Sequence, residues 1–345
     1  MSLPETMQAL ILREGGFGAD VVPSGEIGDV GRYLEAAEIP LPEPRPGQVL
    51  IRVRASMVNP SDLMFIQGGY GQPRVKGAPA GFEGVGEVVA GRGLMAARLK
   101  GRRVSFVVGP GGSGAWAEYA TADAATVIPA RRDLRDEDAA ALIVNPMTAA
   151  AMVDLVPKGG AFVASGAASQ LGKLMAPLAR EKGKRMIGLV RRDAPVATLG
   201  ELGAAEVLNE TGKDFLTDLA GVLKREKPTV FLDCVAGALS SRVFDMMGND
   251  SRWVIYGKLT PEPAEIRQPG TLIFQRKRIE GFWLVTWMRR TGLLRKLSAV
   301  RAVQARFADG RWRTDIAARV SLRNVTDDLN AALKQPDGKV MITMI

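Results

Sequence analysis

The first 140 or so residues alternate short apolar runs with glycine and proline. Residues 48–55, QVLIRVRA, alternate apolar and polar side chains over most of their length, as a half-buried strand does. Similar runs follow at 84–91 and 101–109, and residues 114–130 contain two more. Short strands at this spacing predict a compact β-barrel-like domain.

In the middle of the chain, strand-like runs alternate with helical runs. Residues 160–165, GAFVAS, form a continuous apolar run, as in a parallel strand buried on both faces. Leu171, Leu174, Met175 and Leu178 then fall on one face of a helix. Further strand-like and helical runs alternate up to about residue 257, and the chain ends in the strand-like GKVMITMI. This order predicts an α/β fold with a doubly wound parallel sheet, the Rossmann arrangement.

Composition indicates a soluble protein of two domains. The chain has 345 residues, 46% of them hydrophobic and 24% charged. Its apolar runs are all shorter than the roughly 20 residues of a spanning helix, and the N-terminus lacks the features of a secretory signal. One cysteine excludes an internal disulfide framework. We therefore expect a cytoplasmic protein with no membrane partner.

The chain contains no histidine, which narrows its chemistry. A Ser-His-Asp triad, a Cys-His pair and a four-ligand zinc site are all excluded, and we expect no metal. The net charge of +9 could attract nucleic acid, a membrane surface or anionic small molecules. Since the basic residues are spread along the chain without a nucleic-acid motif, we expect a solvated basic surface and no nucleic-acid partner.

The turn after the first central strand is the candidate dinucleotide site. It has the sequence GAASQLGK, so Ala167, Ser169 and Gly172 occupy the positions of the G-x-G-x-x-G fingerprint. Only the last is glycine, but small residues between a buried strand and an amphipathic helix still permit a pyrophosphate to approach the helix N-terminus. From the fingerprint alone, a plain strand-to-helix turn is an equally good interpretation.

The end of the second central strand favours NADPH over NADH. An NAD enzyme usually has an acidic residue here for the ribose hydroxyls, whereas this chain has Arg191 and Arg192. An arginine could pair bidentately with the 2′-phosphate of NADPH. The alternative makes the arginines a solvated strand end and Asp193 the ribose ligand.

Four segments together resemble a known family. They are PRPGQVLIRVRASMVNPSDL, GFEGVGEVVA, NPMTAAAM and GKVMITM. The chain resembles the zinc-independent medium-chain dehydrogenases/reductases, in the branch of quinone oxidoreductases and 2-enoyl thioester reductases. Zinc-bearing relatives have a cysteine in place of Asn59 and a histidine in place of Phe82, immediately before Glu83.

The resemblance implies both the architecture and the activity. It implies a GroES-like β-barrel catalytic domain over residues 1–142 and 288–345, and a Rossmann NADPH-binding domain over 143–287. Hydride would pass from NADPH to a small-molecule acceptor, a quinone, an enone or a 2-enoyl thioester, in the cleft between the domains. The alternative is a non-catalytic NADPH-sensing or RNA-binding member of the same family.

Tyr70 and Asn59 are the candidate catalytic residues. NPSDLMFIQGGYG resembles the tyrosine-bearing loop of the enoyl reductases, and a phenol, protonated at neutral pH, can donate a proton to an enolate. Alternatively, Tyr70 only walls the pocket, Asn59 belongs to an Asn-Pro turn, and Asp62 is a helix cap. The cofactor-binding residues implied are Thr148, Ala167, Ser169, Gln170, Leu171, Gly172, Arg191, Arg192, Tyr256, Gly257, Phe282, Leu284 and Lys339.

Two further segments bear on assembly and variation. Residues 271–284, TLIFQRKRIEGFWL, form a strand-like run near the end of the cofactor sheet. A long edge strand invites pairing with its copy, so we expect a homodimer. Residues 14–34 are longer than the usual opening of the family, and a hairpin or a helical decoration is the simplest interpretation.

Overall fold

The computed structural model describes residues 3–18, 27–109, 112–335 and 338–344, which divide into two compact units. Unit 1 comprises Met1–Val144 and Val300–Ile345, and unit 2 comprises Asn145–Ala299. The first boundary lies within three residues of the predicted one, whereas the second lies at 300 instead of 288. Residues 288–299 belong to unit 2, where Arg295 forms an ion pair with Asp154 at 3.3 Å.

The described residues form strands and helices in the following order. The strands are β1 (Thr6–Leu12), β2 (Leu34–Pro40), β3 (Gln48–Val58), β4 (Glu83–Gly91), β5 (Arg103–Val107), β6 (Tyr119–Asp123), β7 (Ile128–Pro129), β8 (Ala161–Ala164), β9 (Arg185–Val190), β10 (Glu206–Asn209), β11 (Val230–Asp233), β12 (Arg252–Ile255), β13 (Arg278–Gly281), β14 (Ile316–Ser321) and β15 (Lys339–Thr343). The helices are α1 (Pro60–Ile66), α2 (Leu94–Leu99), α3 (Asp136–Ala140), α4 (Val144–Val153), α5 (Gln170–Glu181), α6 (Ala194–Leu202), α7 (Phe215–Glu226), α8 (Ala238–Met246), α9 (Gly270–Phe274), α10 (Leu284–Arg290), α11 (Leu293–Ala308) and α12 (Val325–Ala332).

Unit 1 is built on a mainly antiparallel sheet. Its strand order is β14-β15-β3-β4-β5-β7, with β6 also paired to β3. The long strand β3 explains the alternating pattern of the sequence, because only Arg52 and Arg54 are exposed in it and its other nine residues are buried. The last strand, β15, pairs with β3, so the C-terminal segment completes the sheet that the N-terminal segment begins.

A separate hairpin covers part of this unit. Strands β1 and β2 pair antiparallel from Thr6 opposite Pro40 to Leu12 opposite Leu34, so residues 13–33 connect the two strands in the sequence. Near its end Asp29 caps a 3-10 turn, and the buried Val30 donates its N–H to Asn330 Oδ1 at 2.9 Å. Residues 19–26 of the predicted decoration lie outside the described part of the chain.

Unit 2 is a doubly wound sheet of six parallel strands. Their order is β10-β9-β8-β11-β12-β13, which is the 3-2-1-4-5-6 order of a dinucleotide-binding fold. All four residues of β8 and of β11 are buried, as the continuous apolar runs of the sequence predict. No helix among the described residues is long and apolar enough to cross a membrane.

The predicted long edge strand at 271–284 is wrong. The segment instead forms the short helix α9, a turn and the four-residue strand β13. The helix starts after Pro269, whose fixed φ suits a first helical turn. Arg276 then adopts φ +52°, in the left-handed region, which interrupts the extended backbone of a strand. An apolar run with two backbone breaks therefore gives only four residues of strand.

Candidate active site

The turn from β8 to α5 has the geometry of a phosphate-binding turn. Gly166 adopts φ +57°, and Ser169 donates its N–H to Gly166 O at 3.0 Å. Ser169 is the N-cap of α5, and its hydroxyl accepts from the Gly172 N–H at 3.3 Å. Gln170 and Leu171, the first residues of the helix, are half-buried and buried respectively. The turn thus places the positive end of a twelve-residue helix at the carboxyl edge of the sheet.

Small residues bring the helix against the turn. A Cβ at Gly172 would lie 2.1 Å from Ala167 O, so only glycine fits at the third fingerprint position. Ala167, which replaces the first glycine, is fully buried and donates its N–H to Leu189 O at 3.0 Å. Its methyl group is accommodated because Gly188 has no Cβ, which would lie 2.9 Å away. The departure from the glycine fingerprint is therefore compensated on the neighbouring strand.

The two arginines follow the second strand of this sheet. Arg191 and Arg192 come directly after β9 and are both exposed. Asp193, the alternative ribose ligand, accepts a hydrogen bond from Asn209 Nδ2 at 2.8 Å. Burial raises the pKa of the nearby Glu210 carboxyl, and the positive charge of Arg191 opposes that rise. The guanidinium of Arg191 thus lies near this edge of the sheet.

Asp233 links three neighbouring strands and is not among the site residues that the sequence predicts. One oxygen accepts from Ser165 Oγ at 2.5 Å, and the other accepts from Trp253 Nε1 at 2.8 Å. The N–H groups of Val235 and Ala236 also donate to it, at 3.0 and 3.1 Å. An aspartate at the end of an apolar strand, followed by small residues, was the signal available in the sequence. This carboxylate therefore connects β11 with a side chain of β12 and with the residue that follows β8.

The neighbouring thiol is structural. Cys234 is buried, its sulfur lies 3.5 Å from Ser165 O, and burial raises the pKa of the thiol to about 11. It therefore stays protonated and is a poor nucleophile at neutral pH. A Cβ at Gly166 would lie 2.7 Å from this sulfur, so Cys234 packs directly beneath the fingerprint turn.

Four predicted cofactor residues follow strands of the same sheet. Tyr256 and Gly257 come after β12, where a Cβ at Gly257 would lie 2.8 Å from Cys234 O. Phe282 follows β13 and donates its N–H to Ile255 O at 2.8 Å, and Leu284 begins α10. Burial raises the pKa of the Tyr256 phenol well above its usual value. Thr148 lies on α4 and is buried.

In unit 1, Tyr70 belongs to a row of three aromatic rings. The half-buried Tyr70 ring lies 5.2 Å from that of Phe82, and Phe82 lies 5.0 Å from Phe65, measured between centroids. Arg74 closes the loop that carries Tyr70, because its guanidinium donates to Ile66 O at 2.9 Å and to Gly16 O at 3.2 Å. The loop is therefore tied to α1 and to the segment after β1.

Four buried polar side chains form a network next to Phe82, the middle ring of this row. Lys339 Nζ donates to Asn59 Oδ1 at 2.5 Å, and Asn59 Nδ2 donates to Glu83 Oε1 at 2.9 Å. Asp62 Oδ2 accepts from the Asn59 N–H at 2.7 Å, as in a capping box at the start of α1. The sequence predicts Asn59 as a catalytic residue and Lys339 as a cofactor-binding residue, whereas in the structure these two side chains bind each other.

Burial changes the acidity of this network. It raises the pKa of the Asp62 carboxyl to about 7, and the nearby Glu83 carboxylate adds to the rise. Burial also raises the pKa of Glu83, although the charge of Lys339 opposes it. The pKa of Lys339 is lowered by burial, against the attraction of both carboxylates. Among the described residues, no three histidine, cysteine, aspartate or glutamate side chains are grouped so as to hold a metal ion.

Comparison with known proteins identifies the family. Residues 45–132 match the alcohol dehydrogenase GroES-like domain, and residues 170–299 match the zinc-binding dehydrogenase domain. The mitochondrial enoyl-[acyl-carrier-protein] reductase of Caenorhabditis elegans is 30% identical over 71% of this chain and 71% of its own length. This chain belongs to the medium-chain dehydrogenase/reductase family. It is an oxidoreductase of the zinc-independent branch, since Asn59 and Phe82 stand where zinc-bearing relatives have ligands.

Two further proteins are similar to this medium-chain reductase over most of its length. The human mitochondrial enoyl-[acyl-carrier-protein] reductase is 28% identical over 77% of this chain and 72% of its own. A Mesorhizobium loti crystal structure, to which NADPH:quinone reductase activity has been ascribed, shares 49% identity over 99% of this chain and 100% of its own, with a TM-score of 0.95. The predicted combination of a GroES-like domain and a Rossmann domain is thereby confirmed.

Proposed function

We propose that this chain is an NADPH-dependent reductase that delivers hydride to a quinone or to an activated C=C bond, as in an enone or a 2-enoyl thioester. The observation that carries the proposal is the β8–α5 turn, where only small residues fit between the strand and the helix N-terminus. Such a turn allows a pyrophosphate to approach the backbone N–H groups of the helix. It supports dinucleotide binding despite the missing first glycine.

The cofactor is NADPH, and the arginine pair supports this choice. Arg191 and Arg192 are exposed directly after β9, where the adenosine ribose lies in folds of this kind. A guanidinium suits a 2′-phosphate, whereas Asp193 is already engaged by Asn209. The Mesorhizobium loti protein of 49% identity is also described as NADPH-dependent.

The cofactor supplies the hydride, and the protein's own residues bind the reactants and donate a proton. Bound NADPH supplies the hydride, and the protein binds, orients and excludes water from the reactants. Addition of hydride at the β-carbon of a 2-enoyl thioester leaves an enolate, which needs a proton at the α-carbon. The Tyr70 hydroxyl is our candidate donor, held in its row of aromatic rings. A quinone that has accepted hydride takes its protons from water and needs no such donor.

Relatives differ in their acceptors, and both acceptor classes belong to the proposal. The curated relatives reduce enoyl thioesters on an acyl carrier protein, whereas the Mesorhizobium loti protein is described as a quinone reductase. Both acceptors are electron-poor conjugated systems that accept hydride directly from a nicotinamide. The same bound cofactor can therefore serve both.

The test is a panel of quinones, enones and crotonyl-CoA, each assayed with NADPH and with NADH. We expect NADPH oxidation with at least one acceptor class, at a rate well above that with NADH. NADPH that binds without being oxidised by any acceptor would contradict the proposal. That outcome would favour a sensor of the cofactor.

We also propose that the chain forms a homodimer through unit 2. Several apolar side chains of this unit are exposed, among them Ile273, Phe274, Leu293 and Leu294. Strand β13 ends the sheet and pairs only with β12 among the described strands. A second copy of the chain is the partner that this surface fits, because the exposed side chains lie close in sequence to an edge strand that can pair with itself.

A further inference from the structure

Asp62 connects two parts of unit 1 that flank Tyr70. Its Oδ2 accepts the N–H of Asn59 at the start of α1 at 2.7 Å, and its Oδ1 accepts the N–H of Phe82 at 2.8 Å. Asp62 is fully buried. Because each oxygen is used by a different segment, this carboxylate fixes the backbone of Phe82 relative to α1.

The side chain of Phe82 then touches the candidate catalytic residue. Its ring centroid lies 5.2 Å from that of Tyr70 at an interplanar angle of 39°, and 5.0 Å from that of Phe65 on α1. A shift of the Phe82 backbone would therefore move the surface on which the Tyr70 ring rests. Displacing a reacting group by about 1 Å can cost about 10²-fold in rate.

We propose that Asp62 is a positioning residue for Tyr70 and acts through Phe82. The proposal rests on the function proposed for Tyr70. The carboxylate does not need to touch substrate or cofactor, and its role is to hold the Phe82 ring where the phenol can reach its proton acceptor.

The carboxylate form is required by the hydrogen bonds. Both oxygens of an ionised carboxylate accept, whereas an amide has one accepting oxygen and one donating nitrogen. Asp62→Asn therefore keeps the size of the side chain but leaves either the Asn59 or the Phe82 N–H without an acceptor. A protonated carboxyl also weakens one of the two bonds, since its hydroxyl oxygen is a poorer acceptor than a carboxylate oxygen.

This requirement predicts a dependence on pH. The titratable groups that face Asp62 are Glu83 and Lys339, and burial together with Glu83 raises the pKa of the Asp62 carboxyl to about 7. Below that pH the carboxyl is protonated and the link to Phe82 is weakened. We expect kcat for enoyl thioester reduction to fall as the pH drops through this region, and the fall to be absent in Asp62→Asn.

The first test follows Tyr70 directly and does not depend on activity. The chain has four tyrosines, so fluorotyrosine-labelled protein gives four ¹⁹F resonances, and Tyr70→Phe identifies that of Tyr70. We expect Asp62→Asn to shift or broaden the Tyr70 resonance. Asp138→Asn is the matched control, since Asp138 is a buried carboxylate in the same unit that binds Arg135 at 2.7 Å. It should leave the Tyr70 resonance unchanged.

The second test is a double-mutant cycle with crotonyl-CoA. Asp62→Asn should lower kcat at least tenfold, with KM and the Kd of NADPH within about twofold of the parent. In a Tyr70→Phe background it should cause almost no further loss, because the two residues act as one unit. Phe82→Leu keeps the backbone link and removes the ring on which Tyr70 rests. It should lower kcat by a similar factor, again with little further loss in the Tyr70→Phe background, and this test remains available even if Asp62→Asn fails to fold.

The outcomes separate two failures. An unchanged Tyr70 resonance in Asp62→Asn, or a kcat loss equally large in both backgrounds, would overturn the positioning role. If the Tyr70 resonance shifts in Asp62→Asn while Tyr70→Phe remains fully active, Asp62 still positions Tyr70. That outcome would refute only the proton-donating function proposed for Tyr70.

Discussion

Removing one oxygen atom from Tyr70 separates the two reductions proposed for this chain. Tyr70→Phe keeps the ring against Phe82 and deletes only the hydroxyl. If the phenol protonates an enolate, kcat for 2-enoyl thioesters should fall roughly 10²-fold, which is the usual size of a general-acid contribution. Quinone reduction should change little. Steady-state kinetics with both acceptors measure this difference.

A second tyrosine in unit 1 provides the control. Tyr119→Phe changes a half-buried residue on β6, away from the row of aromatic rings, and should leave both rates unaltered. Equal small effects of Tyr70→Phe on the two acceptors would mean that Tyr70 is only a packing residue. Catalysis would then consist of hydride delivery from positioned NADPH.

Arg191 should determine the choice of cofactor. We expect NADPH to bind at least tenfold more tightly than NADH, which corresponds to about 1.4 kcal/mol. Arg191→Glu replaces the candidate partner of the 2′-phosphate with a repelling charge, so the preference should vanish or reverse. Titration of both cofactors by fluorescence or calorimetry gives the ratio of their Kd values.

The matched charge reversal lies at the opposite edge of the same sheet. Lys224 is exposed in the last turn of α7, which leads into the amino end of β11. Lys224→Glu changes the net charge by the same amount and should leave the ratio of Kd values unaltered. If Arg191→Glu also leaves it unaltered, the assignment of this residue to the 2′-phosphate is wrong.

Single residues were predictable from sequence where their role is local. Ser169 as helix N-cap and Gly172 at a crowded turn follow from neighbouring residues. The contact of Asn59 with Lys339 joins positions 280 residues apart, and no local pattern contains it. The same holds for Arg74, whose guanidinium closes the Tyr70 loop only after the chain has folded.

At the scale of elements, the packing of α5 depends on one glycine. Gly172→Ala would place a Cβ 2.1 Å from Ala167 O, so the helix must move away from the turn. Backbone shifts of this kind cost typically 1–3 kcal/mol, and we expect a loss of that order in the free energy of unfolding. NADPH binding should weaken as well. Chemical denaturation and cofactor titration measure the two effects.

A helical glycine in the open is the natural control. Gly221 lies within α7, is exposed, and a Cβ there would meet nothing within 4 Å. Gly221→Ala should therefore stabilise the protein by about 0.5–1 kcal/mol, because alanine favours the helix. Two alanine variants with the same effect on stability would show that crowding at Gly172 does not decide the packing of α5.

Elements were predictable where burial produces a simple pattern. Strand β8 is buried at all four positions and appears in the sequence as an unbroken apolar run, while β3 shows exposed arginines at alternate positions. The prediction of one long strand at 271–284 was wrong because hydrophobicity alone does not reveal breaks in the extended backbone. Pro269 starts a helical turn there, and Arg276 adopts a left-handed conformation.

At the scale of the whole molecule, the family motifs predicted a feature of the domain organisation that periodicity could not. Apolar patterns predicted a barrel-like part and a parallel sheet, but the return of the C-terminal segment came from the resemblance of its last strand. That strand, β15, pairs with β3, although most of the chain lies between the two strands in the sequence. The second boundary lies at residue 300 and not at the predicted 288, because no local pattern shows that residues 288–299 remain with unit 2.

The surface of unit 2 predicts that two copies of the chain associate. Phe274 is 80% exposed, Ile273 70% and Leu294 84%, whereas large apolar side chains are usually buried. None of the residues of α9 or α10 is buried, although both helices contain several apolar side chains. Exposed apolar side chains commonly mark interaction surfaces, and association of two copies about a two-fold axis would bury them.

Charged substitutions on this surface test the dimer. At micromolar concentration, light scattering should give about twice the chain mass of 36.9 kDa. The double variant Phe274→Glu, Leu294→Glu should give the mass of one chain, because burying two carboxylates without partners opposes association. Val75→Glu is the control, since Val75 is 66% exposed in unit 1 and should leave the dimer intact. A monomeric parent, or a double variant that remains dimeric, would mean that this surface does not join two copies. The exposed apolar side chains would then require a different partner.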